Sequence, residues 1–285
     1  MQDMTIPDAG WAARLELVFG TDARGRTRLL HNRHHGPLRL IRALPAADGA
    51  CEAVIVHPPG GLVGGDTLEI DIVAGEGTSL LCTTPGAQKW YRSTGAAARA
   101  RTRLAAGADA KVSWLPQPAI VFDGAQAEQV VEFDLTSSTR FVGWECLILG
   151  RQAMGERFTR GSLAQRLVLR IDGRPLWTET SRAAAGDRLF ASPLGWRRHC
   201  VCASVLAAGP MPAPLDERWR AVLAEAQTGP GSFGAATTQL APGLTLARLL
   251  GDDSETVMAV ARQLWLAARA GFGEDDPIAP RIWAT

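Results

Sequence analysis

Short apolar runs separated by glycine, proline or Asp-Gly turns recur along most of this chain, and that punctuation constrains its fold more tightly than any single motif. The runs cover residues 51–57, 67–73, 78–84, 98–104, 110–114, 129–134, 141–149, 163–171 and 199–206. Asp123-Gly124 and Asp172-Gly173 are hairpin-turn dipeptides in the gaps. Many short strands at close spacing predict a mainly β architecture. Two segments depart from it. At about 216–227, Trp219, Val222, Leu223 and Ala226 recur at helical spacing, opposite Glu217, Arg218, Arg220 and Glu225. At about 254–270, Val257, Val260, Ala261, Leu264 and Ala268 do the same, with Ser254 as the expected N-cap and Gly271 as the expected stop. Residues 235–240 and 244–250 predict a late hairpin. No internal repeat, low-complexity tract or linker divides the chain, so residues 1–285 are expected to form one large domain.

Charge narrows the function. Thirty Lys and Arg against 29 Asp and Glu, interspersed, offer no electrostatic footprint for nucleic acid. Arg99, Arg101 and Arg103 alternate on one strand face without interleaved aromatics, which predicts a solvated basic face. No apolar run approaches the roughly 20 residues of a bilayer span, so no membrane association is expected. The stretch MQDMTIPDAGW lacks a basic region followed by an apolar core and does not read as a secretory signal. Five cysteines, Cys51, Cys82, Cys146, Cys200 and Cys202, lie in apolar runs rather than a disulfide framework, which suits a reducing cytoplasm.

Two turn-rich stretches, HPPGGLVGGDTLEI (57–70) and TTPGAQKWYRS (83–93), place Asp66 and Lys89 at bends among apolar neighbours. The glycines invite a phosphate-cradling reading, but Asp66-Thr67 follows them where a lysine and a hydroxyl opening a helix would be needed. A sharp reversal between strands is the reading that remains. Metal chemistry is equally thin. His31, His34 and His35 sit among arginines and read as a solvated loop, while strand alternation puts Cys200 and Cys202 on one face and His199 on the other. Glu145 interrupts the apolar run FVGWECLILG, a placement that costs several kcal/mol unless the charge is paired or wet. It is expected to face water or to pair with Arg140, Arg151, Arg157 or Arg160. Lys89 reads as a snorkelling side chain beside Trp90 and Tyr91.

These two stretches, together with DLTSSTRFVGWECLILGRQAMGE (134–156) and the terminal PRIWAT (280–285), occur in the order and spacing that resembles the UreD/UreH family of urease accessory proteins, nearly end to end. The resemblance implies stacked, β-helix-like sheets and a non-enzymatic scaffold. It implies that the scaffold binds apo-urease and the accessory proteins UreF and UreG, the latter a nickel-carrying GTPase, and helps route transient nickel toward urease. Asp66, Gln88, Glu145 and Glu179 match polar positions associated with such a passage, with Lys89 and Glu156 adjacent or structural. The sequence lacks the phosphate loop for its own nucleotide hydrolysis. The segment 271–285 is a candidate docking tail: Ile282 and Trp283 imply docking, onto the chain's own fold or into a partner. The competing readings are a metal-dependent hydrolase, assembled for instance from His57, Asp66 and His199, and a purely structural β-rich interaction module.

Overall fold

The computed structural model describes residues 10–45, 50–211, 215–228, 233–274 and 279–284. Its strands are β1 (Ala12–Thr21), β2 (Thr27–His35), β3 (Arg39–Pro45), β4 (Cys51–Val56), β5 (Gly61–Leu62), β6 (Thr67–Ala74), β7 (Ser79–Thr83), β8 (Gln88–Trp90), β9 (Ala98–Ala106), β10 (Lys111–Leu115), β11 (Ala119–Val121), β12 (Gln126–Leu135), β13 (Arg140–Leu149), β14 (Ser162–Ile171), β15 (Arg174–Ala184), β16 (Val201–Ala208), β17 (Phe233–Ala241) and β18 (Leu244–Gly251). Its helices are α1 (Arg188–Ala191), α2 (Leu215–Ala226) and α3 (Ser254–Gly271), and a 3-10 turn covers Arg281–Ala284.

The strands form two facing sheets. One has seven strands in the order β15-β14-β12-β9-β6-β1-β2; the other has eleven, running β17-β18-β16-β13-β10-β7-β4-β3 with β5, β8 and β11 as a short branch. Each circuit takes the chain from the first sheet to the second, through a short branch strand, and back. Successive visits pair in parallel, as in β6 with β9, β9 with β12, and β7 with β10. The result is a β-solenoid. Its later end closes with antiparallel strands: β15 on one sheet, and β16, β18 and β17 on the other.

Alternation explains which face each strand buries. In β6, Leu68, Ile70, Ile72 and Ala74 point inward while Glu69 and Val73 are exposed, so the seven-stranded sheet keeps one face wet. The inward residues of both sheets form one apolar interior, in which Phe133 and Phe141 meet with ring centroids 4.5 Å apart. β16 is buried along its whole length because the eleven-stranded sheet is covered on both faces. Its outer face packs under α2 and α3, where Trp144, Val205, Trp219, Leu264 and Trp265 form a second core. Each such side chain contributes roughly 1.5–3 kcal/mol by leaving water.

Several local expectations need correction. His31, His34 and His35 are solvent-exposed as expected, but they lie on β2 rather than in a loop, because β2 is an edge strand paired only with β1. Asp253, not Ser254, caps α3: its Oδ2 accepts from the Thr256 amide at 2.8 Å. Gly271 is the last helical residue, and the left-handed turn falls at Gly273. β16 begins only at Val201, so alternation does not govern Cys200. Cys202 enters the inter-sheet core while Cys200 packs toward the helical side.

Candidate functional site

Polar residues at inward positions form a band between the sheets. On the seven-stranded side, Gln129 of β12 is in register with Gln165 of β14, which is in register with Ser181 of β15. On the facing side, Glu145 of β13 pairs with Ser204 of β16, and Ser204 with Arg248 of β18. Gln165 Nε2 donates to Gln129 Oε1 at 2.9 Å, and Gln129 Nε2 crosses the gap to donate to Glu145 Oε2 at 2.8 Å. Trp114 Nε1 donates to Glu145 Oε1 at 2.8 Å.

Glu145 is therefore held by two neutral donors. None of the arginines expected to pair with it does so: Arg151 binds Glu156 and Arg160 binds Asp123, and among the described residues no Lys or Arg lies within salt-bridge distance. Desolvation by burial outweighs the two hydrogen bonds and pushes its carboxyl up to about 7. Such a group sits near the balance between acid and carboxylate at neutral pH, and an arriving cation tips it to the carboxylate. Glu179 of β15 lies in the same band but is bound to Arg248, whose guanidinium also stands 3.9 Å from Cys202 Sγ. Its charge is already compensated.

Gln88 lines a second place between the sheets, and Asp66 lies near enough to act on His57 there. A cavity of about 410 Å³ is lined by Leu38, Ile55, His57, Ile70, Gln88 and Lys89, among others. His57 Nδ1 and Gln88 Nε2 are buried without a hydrogen-bond partner. Burial lowers the His57 pKa, an effect partly opposed by the carboxylate of Asp66. Asp66 also holds the local backbone together. Its Oδ1 accepts from the Trp11 amide at 3.1 Å and its Oδ2 from the Val63 amide at 2.9 Å, which ties the start of β1 to the turn before β6. Strand register links the two places. Gln88 is level with Ala119 of β11, Ala119 with Leu147, and Leu147 shares the inward face of β13 with Glu145.

The other singled-out residues lie apart from this band. Glu156 binds Arg151 and accepts from the Asp123 amide, fastening a surface loop. Lys89 is half-buried and lines the cavity, with Nζ close to Gly60. Trp283 packs on the chain's own helical layer: its Nε1 donates to Thr83 Oγ1 at 2.8 Å, its ring lies 5.7 Å from Trp144, and the Arg262 guanidinium stacks 5.0 Å above it. Ile282 is half-buried beside it. His199 Nδ1 faces Asp252 at 3.1 Å, and the Cys200 amide donates to the same carboxylate. Among the described residues no three His, Cys, Asp or Glu side chains are placed to hold a metal ion, and no helix is long and apolar enough to cross a membrane.

Trp114, Gln129, Gln165 and Arg248 are site residues that inspection of the sequence passes over, and His57 was singled out there only as a possible metal ligand. A signal for most of them was present. Gln129 stands between Ala127 and Val131, Gln165 between Leu163 and Leu167, and Arg248 between Leu246 and Leu250, each interrupting an apolar series at every second residue. A carboxylate in an apolar run, such as Glu145, is conspicuous; an amide in the same position is less so.

A family model described as the UreD urease accessory protein matches residues 12–284. The chain is similar to the urease accessory protein UreD of Azoarcus sp. (strain BH72), with 45% identity over 279 residues, covering 97% of this chain and 95% of that protein. It is also similar to the urease accessory protein UreD of Dechloromonas aromatica (strain RCB), with 39% identity over 280 residues, 96% of this chain and 95% of that one.

Proposed function

The chain belongs to the UreD urease accessory protein family, which serves urease maturation, and on that premise we propose that it is a non-catalytic scaffold through which nickel passes toward the urease active site. The observation that carries the nickel reading is Glu145: a buried carboxyl between two sheets, held by neutral donors and uncompensated by any described cation. A site of that kind holds a divalent cation weakly. Imidazole and thiolate clusters would bind nickel too tightly to release it, whereas isolated carboxylates, amides and water give shallow wells. Gln88 at the cavity, Asp66 near its His57, and Glu145 and Glu179 in the polar band are the residues through which the ion would move. Nickel is cargo here, and no permanently bound cofactor is part of the reading.

The scaffold binds the urease apoprotein and a helical accessory protein, UreF, that bridges to UreG, a nickel-carrying GTPase. Nucleotide hydrolysis belongs to that partner, because this sequence has no lysine-and-hydroxyl phosphate loop. The setting is the cytoplasm, consistent with five cysteines that remain free thiols. Urease matured in cells with and without this chain, all other accessory proteins present, tests the reading by its nickel content. Nickel-poor urease without the chain is the expected result; equal nickel in both preparations contradicts it.

A further inference from the structure

Two surface segments, residues 150–161 and 187–200, carry six arginines against two carboxylates at their exposed face and contain no lysine. They sit together at one end of the solenoid. Phe158 of the first packs edge-on against Phe190 of the second, with centroids 6.1 Å apart, and Phe190 against the buried Trp196 at 5.5 Å. The Leu149 amide, just before the first segment, donates to the carbonyl of Cys200 at the end of the second. This aromatic seam supports two exposed apolar tips: Met154 is 74% exposed and Leu194 is fully exposed.

The charges around those tips are largely unspent. Arg151 and Arg160 are engaged by Glu156 and Asp123. Arg157, Arg188, Arg197 and Arg198 form no salt bridge among the described residues. The Leu194 loop is nevertheless well ordered by its own backbone. Arg197 and Arg198 are consecutive left-handed residues, at φ 52° and 69°, held by hydrogen bonds from their amides to the carbonyls of Ser192 and Phe190. A loop fixed in this way loses little conformational freedom when something docks on it.

From this juxtaposition we infer that the Met154 and Leu194 tips, with the exposed Arg157, Arg188, Arg197 and Arg198 of the same two segments, form a docking surface for an acidic protein face. Resting on the urease-maturation reading, that face belongs to the urease apoprotein. The composition fits a protein partner: Arg and Met are enriched in protein interfaces and Lys is depleted. Single-stranded nucleic acid would need exposed aromatic platforms, and the aromatics here are consumed in the Phe158–Phe190–Trp196 seam. Salt-screened arginine contacts at the rim would set the association rate, and the two apolar tips would anchor the centre.

The experiment is binding of the full-length chain, with its accessory partners, to purified apo-urease at low and high salt. The variants are a triple substitution, Arg157→Glu, Arg188→Glu and Leu194→Asp, and the conservative pair Arg157→Lys and Arg188→Lys. A control, Arg24→Glu, lies in the turn between β1 and β2. The triple variant is expected to bind at least roughly tenfold more weakly, with the conservative pair and the control close to wild type and the wild-type affinity falling with salt. Wild-type binding that is unchanged in the triple variant overturns this surface while leaving the maturation reading intact. Absence of wild-type binding to apo-urease counts against that reading itself. If the triple substitution instead abolishes binding to an RNA oligomer or to anionic vesicles and leaves urease binding untouched, the protein-docking assignment is wrong.

Discussion

Glu145 sets the chemistry of the inter-sheet band, and its surroundings make it testable by pH. Burial raises its carboxyl from the usual 4.5 to about 7, so across that interval the folded protein keeps a proton that the unfolded chain has lost. Stability therefore falls as pH rises through the interval and levels above it, by about 3 kcal/mol in all at about 1.4 kcal/mol per unit. Glu145→Gln removes this titration, so the wild-type denaturation midpoint should fall relative to the variant's between about pH 5 and 8, the opposite contribution of the buried His57 being common to both. Parallel pH curves for the two proteins would show that Glu145 is not the buried acid described. Asp66 is a poorer probe of transport, because its two amide contacts hold a turn and its replacement disturbs folding first. The sequence made Glu145 visible as a charge inside an apolar run. It could not show that Trp114 and Gln129 would satisfy that charge, because those residues arrive from other strands.

Among the elements, strands flanked by turn residues and buried on one or both faces were the legible ones. Runs at 67–73, 98–104, 141–149 and 163–171 correspond to β6, β9, β13 and β14, and both C-terminal helices fall within a residue or so of the expected ends. The turn-bounded runs do not include β1, β2, β3 or β15. β2, β3 and β15 lie at sheet edges with mostly exposed side chains, so the apolar periodicity that marks a strand is weak. β1 does alternate cleanly, as Ala13, Leu15, Leu17 and Phe19, and was within reach of the same reading. Turn glycines differ sharply in what they tolerate. Gly161, at φ 104° before β14, would bring a Cβ within 2.2 Å of the Ala125 carbonyl oxygen, whereas a Cβ on Gly95 meets nothing within 4 Å. Gly161→Ala should lose at least about 2 kcal/mol and Gly95→Ala should stay within about 0.5 kcal/mol in equilibrium unfolding. Equal stabilities would contradict the solenoid corner at Gly161.

At the scale of the whole molecule, two cores divide the labour: one joins the sheets, and the other fastens the helices and the terminal turn to the eleven-stranded sheet. Trp283 belongs to the second, through Thr83, Trp144, Trp265 and Arg262. Trp283→Ala should cost roughly 2 kcal/mol, less than the loss expected for a fully buried Trp, and an unchanged thermal midpoint would argue against that packing. The first core is the unusual one, because amides, carboxylates and an arginine run through it where apolar side chains would be more stabilising. On the proposed function, that concession is what a path for a cation requires. The direct test is the nickel content of urease matured with Glu145→Gln in place of the wild-type chain, in complexes shown by co-purification to be intact. A several-fold fall in nickel per urease is the predicted result, and full nickel loading would contradict passage between the sheets.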